Sequence, residues 1–319
     1  SKNNFFFQII PTIRNHMRWN KKYDYPASSR ATEDGIRRYV LGEAKLPSVT
    51  SILDATKSEE DKAALANWRE RTGHKEAEAI TKAASSRGSQ MHSYLESFLL
   101  GRENLSVFED NERYKKMAKE IIDKGLTNRL EEIYGVECTM HYPERYAGTA
   151  DCVGVYEGKE TIIDFKQSNK PKKAEYIDSW FLQTAAYSLA HNVVYNSNIN
   201  ACVILVCTVD NLFQEFKIQG PELITYQNLF LGRLKKFNEM NSKQKKKMDK
   251  IVIYDTETTN STIWGSIIEV GAVVVDKNLK EIGKVNIRGR MPEGEVPSAK
   301  ALLVNSTSID LLTKGNYSH

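Results

Sequence analysis

Apolar positions along the chain change spacing several times, and each change predicts an element. Glu59 to Arg71 and Lys75 to Ala84 are rich in Ala, Glu and Lys with few breakers, which predicts helices. Ser85-Ser86-Arg87-Gly88 predicts an interruption, after which Met91, Leu95, Phe98 and Leu99 mark one side of a helix from about Ser89 to Leu100. A further helix is expected from Asn111 to Leu126. The period then shortens. Ile133 to Tyr142, Gly148 to Tyr156 and Glu160 to Phe165 are β-prone, separated by turn signals at Pro143-Glu144 and Glu157-Gly158. A helix from about Glu175 to His191 follows, then Ala201 to Val209, a continuous apolar run of buried-strand length, a strand over Leu212 to Ile218, and a helix that Pro221 opens and that runs to about Asn241. Residues 1–50 carry no comparable period and are expected to be mostly irregular. The order predicts an α/β core with its sheet in the middle.

A charged stretch, Ser242 to Lys250, breaks this texture, and β-prone segments at Ile251 to Asp255, Ile267 to Asp276 and Glu281 to Ile287 begin another. The expected division is a first domain over 1–242, a basic linker over 243–250 and a second segment over 251–319. A length of 319 residues agrees with about two domains at ~100–200 residues each. Forty-five basic against 41 acidic residues leave a net charge of only +4, so bulk charge does not announce a nucleic-acid binder, although charge can be concentrated locally. Cys138, Cys152, Cys202 and Cys207 lack CxxC spacing and sit in apolar stretches, which predicts buried free thiols. No apolar run reaches membrane-spanning length, and Phe5-Phe6-Phe7 is too short for a secretion signal. The expectation is a soluble intracellular protein of a bacterium or a phage-infected cell, with no membrane partner.

Candidate chemistry gathers in the first domain. On a strand, Asp164 and Lys166 project to one side while Phe165 packs inward, and apolar Ile162-Ile163 leads into them. A carboxylate and an ammonium at the rim of a buried strand are costly to desolvate unless compensated, and a divalent cation would compensate. Asp151, in Gly148-Thr149-Ala150-Asp151 on the neighbouring strand, offers a second carboxylate. Upstream, Arg87-Gly88-Ser89-Gln90-Met91-His92 supplies an imidazole, with Glu96 one turn on. Hard oxygen ligands suit Mg²⁺ or Mn²⁺, and such a site suits phosphodiester hydrolysis, with Lys166 orienting water and offsetting developing charge. Taken singly, Asp-x-Lys also reads as a solvated strand end, His92 as a core or surface histidine, and Glu96 as a surface residue. The order of the pieces favours the site.

That order resembles the PD-(D/E)XK nuclease superfamily in its RecB-like exonuclease branch, which joins a helix with RGxxxH to GxxD, Asp/Glu-x-Lys and a helix with QxxxY, here Gln183-Thr184-Ala185-Ala186-Tyr187. Leu46-Pro47-Ser48-Val49-Thr50, Trp68-Arg69-Glu70-Arg71 and Asp164-Phe165-Lys166-Gln167-Ser168 are similar to the mitochondrial genome maintenance exonucleases and their phage relatives. The resemblance covers about Lys45 to Asn241. It implies a restriction-endonuclease-like core, a central mixed sheet flanked by helices, with a helical N-terminal part. It implies metal-dependent hydrolysis of DNA, single-stranded and from free ends, in replication, recombination or repair. Asp151, Asp164 and the Phe165 carbonyl would bind Mg²⁺ or Mn²⁺ with His92, Lys166 would be catalytic, and Glu96 would assist. Arg87, Ser168, Gln183 and Tyr187 would support the site and the DNA. Gln167 departs from the Thr expected there.

The last segment opens Val252-Ile253-Tyr254-Asp255-Thr256-Glu257, where Asp255 and Glu257 share a face at a strand end. With Ile267 to Val274 it resembles the start of the DEDD (DnaQ-like) 3′–5′ exonucleases and bacterial exonuclease I, implying a partial ribonuclease H-like fragment. Asp276 and Asp310 do not match that family's later motifs, so the segment is expected to be a truncated or docking remnant without its own active site. Two other readings compete with the exonuclease: a catalytically silent DNA-binding module, and a nuclease centred on Asp255 and Glu257.

Overall fold

The computed structural model describes residues 17–102, 112–247, 250–258, 267–276 and 278–288. The chain forms two compact units, Ser1–Phe237 and Asn238–His319. The expectations for Phe5-Phe6-Phe7 and for Asp310 lie outside the described residues.

The first unit begins with β1 (Arg18–Trp19), then β2 (Ser29–Glu33), β3 (Ile36–Leu41) and β4 (Ala44–Pro47), followed by α1 (Val49–Ala55), α2 (Glu59–Thr72) and α3 (His74–Leu99). The expectation of an irregular first fifty residues is corrected here: β2, β3 and β4 form an antiparallel sheet. Its turns explain it. Asp34 and Gly35, both at positive φ, close the β2–β3 hairpin between the paired Glu33 and Ile36, and Gly42 at positive φ helps close the next, between Leu41 and Ala44. Asp-Gly between short β-prone segments was a hairpin signal that the absence of a long apolar period obscured.

Ser48 caps α1 by accepting the Ser51 N–H at 3.0 Å, and Ser58 caps α2 through Asp61 N–H at 3.0 Å. The predicted interruption at Ser85 to Gly88 is also corrected, because α3 runs unbroken from His74 to Leu99. Tertiary contact overrides local propensity there. Gln167 donates to the Ala84 carbonyl at 3.1 Å and accepts from Arg87 Nε at 3.0 Å, anchoring the weak stretch.

After α4 (Arg113–Ile121), a π-helical turn over Ile122–Leu126 leads into β5 (Leu130–Tyr142), β6 (Tyr146–Tyr156) and β7 (Lys159–Ser168). Then come α5 (Asp178–Tyr195), β8 (Ala201–Thr208), β9 (Phe213–Gln219) and α6 (Pro221–Lys247). The central sheet has the order β1-β5-β6-β7-β8-β9 and is mixed: β1–β5 and β7–β8 are parallel, the others antiparallel. Every residue of β8 is buried, as expected of an apolar strand covered on both faces. Val153, Ile162, Ile204 and Val206 pack on one face with Leu182, Ala186 and Phe230 of α5 and α6. Cys152, Ile163, Phe165 and Leu205 pack on the other with Met91 and Leu95 of α3 and Met117 of α4. The molecule is therefore mixed α/β, with a central mixed sheet between helices. All four cysteines are free and buried. The helix opened by Pro221 reaches Lys247, beyond the predicted Asn241 and into the charged stretch read as linker. Among the described residues no helix is long and apolar enough to cross a membrane.

The second unit, described by itself, contains β10 (Lys250–Thr258), β11 (Ile267–Asp276) and β12 (Glu281–Arg288) in one antiparallel sheet. Val252, Ile253 and Tyr254 are more than half exposed, and Val275 is buried.

Candidate metal centre

The site forms where the β6–β7 ladder ends. Its last registered pair is Cys152↔Ile163, so Asp151 and Asp164 stand at the next, unregistered step. There the Asp151 side chain takes over the role of a ladder acceptor: the Phe165 N–H donates to its Oδ2 at 2.6 Å. Asp151 is 8% exposed and Asp164 is 2% exposed, so both carboxylates are buried at the sheet's opening. Lys166, two residues on and therefore on the same side of β7 as Asp164, brings Nζ to 2.5 Å from Asp164 Oδ2. The approach is off the direction of a hydrogen bond, which leaves that buried oxygen without an aligned donor. From α3, His92 places Nδ1 3.2 Å from Asp151 Oδ1, its ring edge-on to Phe165 at 6.3 Å between centroids.

Glu137 is the member that sequence reasoning missed. It lies on β5 between the registered pairs Val136↔Cys152 and Cys138↔Ala150, which puts it across the ladder from Asp151. Its φ of 50° is in the left-handed region, unusual for a residue other than Gly and a form of strain that collects at functional sites. Ligand atoms of His92, Glu137 and Asp151 all lie within 4.8 Å of one another. The usable signal was a carboxylate on the preceding strand at the mirror position of Asp151, but that position exists only once the register is known.

The electrostatics are strongly perturbed. Burial opposes ionisation of Asp151, but the His92 imidazolium, the Lys166 ammonium and the Phe165 N–H overcome it and hold its carboxyl below the ordinary value. Burial pushes Asp164 up to about 6, with Lys166 restraining the rise. Burial works against the charged imidazole of His92, yet the adjacent Asp151 outweighs it and raises His92 to about 9. Glu137, solvent-exposed at the cleft, is raised to about 7 by the partial desolvation of its surroundings and by the Asp151 charge. Three groups thus titrate between about 6 and about 9, where a bound cation would compete with their protons. One imidazole nitrogen, clustered carboxylates and a buried carboxylate oxygen lacking an aligned donor make a donor set that fits a divalent metal.

These groups border a cleft of about 710 Å³ whose wall includes His92, Glu96, Glu137, Asp151, Gln183 and Tyr187. Asp164 and Lys166 are not part of that wall; Lys166 lowers Asp151 through its charge, and the Asp151 charge raises Asp164. Glu96 lies one turn beyond His92, 3.9 Å from Arg102. Gln183 donates to the Tyr187 hydroxyl at 2.9 Å, holding two wall residues together. Gly148 is required beside them, because a β-carbon there would overlap the Tyr187 ring. Arg87 is engaged by Gln167 and Asn169 at the end of β7 and is absent from the cleft wall. The Ser168 hydroxyl donates to the Lys170 carbonyl at 2.6 Å in the turn after β7. Asp255 and Glu257 belong to the second unit, where Asp255 is exposed and its Oδ1 accepts the Thr256 N–H at 2.9 Å.

The class so defined is a mixed α/β protein whose sheet opens onto an acidic cleft suited to a divalent cation. Among curated proteins, mitochondrial genome maintenance exonuclease 1 of Homo sapiens is 29% identical to this chain over 213 residues, 62% of this chain and 60% of its own length. The Xenopus tropicalis protein of the same name is 30% identical over 220 residues, 65% of this chain and 61% of its own length. The chain thus spans about three fifths of the curated relatives it matches, and these relatives are named as exonucleases. No protein-family model matches the chain. The crystal structures of SSO0001 and of Scheffersomyces stipitis Rai1 with (3′-NADP)⁺ and calcium ion align at TM-scores of 0.29 and 0.24. Their identities are 15% and 11%, covering 54% and 90% of this chain and 69% and 66% of theirs, a likeness too low to inform fold or function.

Proposed function

We propose that this protein is a metal-dependent DNA exonuclease with a restriction-endonuclease-like PD-(D/E)XK core, acting on single-stranded DNA from free ends. The observation that carries the reading is the convergence of His92, Glu137 and Asp151 at the step where Asp164 and Lys166 end the same ladder. The relatives named as genome maintenance exonucleases support it. Asp151, Asp164, the Phe165 carbonyl and His92 would hold Mg²⁺ or Mn²⁺, with Glu137 beside them. When bound, the ion supplies Lewis acidity toward the scissile phosphate.

The chain's own groups do the rest. Lys166 orients the attacking water and offsets the charge that develops as its oxygen bonds to phosphorus and the P–O ester bond breaks. Glu96, on the cleft wall, relays protons through solvent. Gln183 and Tyr187 brace the wall against the strand, while Ser168 and Arg87 hold the end of β7 that carries the site. The segment 251–319 resembles a DEDD exonuclease in its opening strands and has no catalytic role of its own.

Digestion of 5′- and 3′-labelled single strands beside a closed circular control, with Mg²⁺ or Mn²⁺, tests the proposal. Wild type should shorten the linear strands and spare the circle, and Lys166→Ala should leave both intact. Cleavage by Lys166→Ala at the wild-type rate would overturn the assignment, as would binding of DNA by wild type without cleavage in any metal titration.

A further inference from the structure

The small sheet β2–β4 supplies basic residues to the same cleft. In an antiparallel pair, directly opposite residues share a face. Arg30 pairs with Tyr39, Thr32 with Arg37, and Tyr39 with Leu46, so Arg30, Arg37, Tyr39 and Leu46 occupy one side. Tyr39 and Leu46 bury that side against Ala147 at the start of β6, and an isolated parallel bridge joins Ser48 to Ala147. The Tyr39 hydroxyl lies 3.0 Å from Thr149 Oγ1, and Arg30 donates to the same oxygen at 3.2 Å with its guanidinium over the Tyr39 ring. The sheet is thereby seated on the strand that carries Asp151, two residues before it.

The consequence is a cleft of divided charge. Arg30, Arg37 and Tyr39 of the small sheet, the hydroxyl-bearing Thr81, Ser85, Ser89 and Ser93 of α3, and the acidic Glu137 and Asp151 all line it. Arg38, on the opposite side of the sheet, lies 3.5 Å from Glu33. Among the described residues, neither Arg30 nor Arg37 forms an ion pair, although both are arginines at a cleft rich in carboxylates. The Arg37 backbone is held in place, its N–H donating to Ser51 Oγ at 3.1 Å and its carbonyl accepting from Ser48 N–H at 2.9 Å, which leaves the guanidinium at the cleft. A fixed backbone carrying an uncommitted guanidinium suits recognition of phosphate, which Arg grips in a bidentate fork.

We infer that this sheet is a phosphate-gripping wall: Arg37, with Arg30, binds backbone phosphates of single-stranded DNA next to the scissile one and so sets where the strand sits over the acidic floor. The inference rests on the nuclease reading and assigns its substrate contacts to a segment outside the nuclease motifs. Arg37 and Arg30 are positioning residues. Their work is to hold the strand while Lys166 and the carboxylates act.

Fluorescence anisotropy of a labelled single-stranded oligodeoxynucleotide, measured as a function of salt in the cleavage-deficient Lys166→Ala protein, tests it. Adding Arg37→Ala should weaken binding about five- to tenfold and lower the slope of log affinity against log salt by about 0.7, the loss of one phosphate contact on a single strand. Arg30→Ala should act in the same direction, and Lys159→Ala, which removes equal charge at the far end of β6–β7, should change neither quantity. In the otherwise wild-type enzyme, Arg37→Ala should raise KM more than it lowers kcat, and Arg37→Lys should restore part of the loss. Slopes equal to that of Lys159→Ala, where the wild type binds and cleaves DNA, overturn this inference alone. A wild type that neither binds nor cleaves DNA overturns the nuclease reading together with it.

Discussion

The two units each place a pair of acidic residues on β-strands, and the contrast between them shows what a carboxylate needs before it can do chemistry. Asp151 and Asp164 lie on adjacent strands of a sheet covered on both faces, at the step where the ladder opens, with an imidazole and an ammonium beside them. Burial raises the energy of their charges, and the neighbouring groups then decide which stays ionised. Asp255 and Glu257 lie on one strand of a three-stranded sheet; Asp255 is exposed and Glu257 half-buried, and Glu257 registers against another acid, Glu269. Glu269 itself is committed to Arg288 and Asn286. The same residue type in the same kind of element is buried among charged partners in one unit and lies nearer the surface in the other.

The comparison breaks most visibly at Lys166. Lys166→Ala should reduce metal-dependent cleavage by at least ~10²–10³-fold, the scale on which a single group aimed at developing charge acts. Circular dichroism should show the fold retained, since the side chain is at the rim of the core. An activity loss confined to tenfold would put Lys166 outside the chemistry.

Next in size is the coupling of metal to pH. In the metal-free protein His92 titrates at about 9, Glu137 at about 7 and Asp164 at about 6. A cation binds the deprotonated forms, so protons compete with it below each of these values and cease to compete above them. The Mg²⁺ concentration for half-maximal activity should therefore fall by roughly tenfold or more as pH rises from about 6 to about 9. Calorimetric titration with Mg²⁺ at pH 7 in buffers of different ionisation enthalpy should record proton release. Metal binding without proton release would remove the perturbed cluster from the site. Asp255→Asn with Glu257→Gln should leave this dependence unchanged.

A smaller effect is expected at Gln167, which ties β7 to α3 by donating to Ala84 and accepting from Arg87. It touches no reacting atom, yet it relates the strand of Asp164 to the helix of His92. Gln167→Ala should raise the metal requirement about tenfold, as outer partners of metal ligands do, while lowering the melting temperature only slightly. An unchanged metal requirement would show that helix packing alone places His92.

The smallest effect sharpens the contrast from the other side. Asp255→Asn with Glu257→Gln should leave cleavage within about twofold of wild type, as surface substitutions do. Ending the chain after Lys247, where α6 stops, should likewise leave the nuclease activity in place; its loss would make the second unit part of the catalytic protein.

Much of the site was legible because its logic is local. Strand alternation puts Asp164 and Lys166 on one side, and helical spacing puts His92 and Glu96 one turn apart; both are properties of consecutive residues. The long apolar run of β8 and the helix opened by Pro221 were readable for the same reason. What depended on non-local register was not. Glu137 is an ordinary strand residue until β5 and β6 pair, and only then does it face Asp151. Arg87 looked free to reach a substrate until the fold brought Gln167 and Asn169 to it. The break predicted at Ser85 to Gly88 followed from intrinsic propensity, which is weak beside the contacts that α3 makes with the end of β7.

From the residues alone came the kinds of groups available, their alternation along each element, and the expectation of an α/β core with acidic chemistry at a strand end. The tertiary structure decided which groups meet: that the ladder opens at Asp151 and Asp164, that Glu137 joins them, and that an unforeseen three-stranded sheet brings arginines to the cleft. Periodicity is a property of neighbours in the chain, whereas a binding site is made by residues far apart in it, and their approach is settled by register and packing between whole elements.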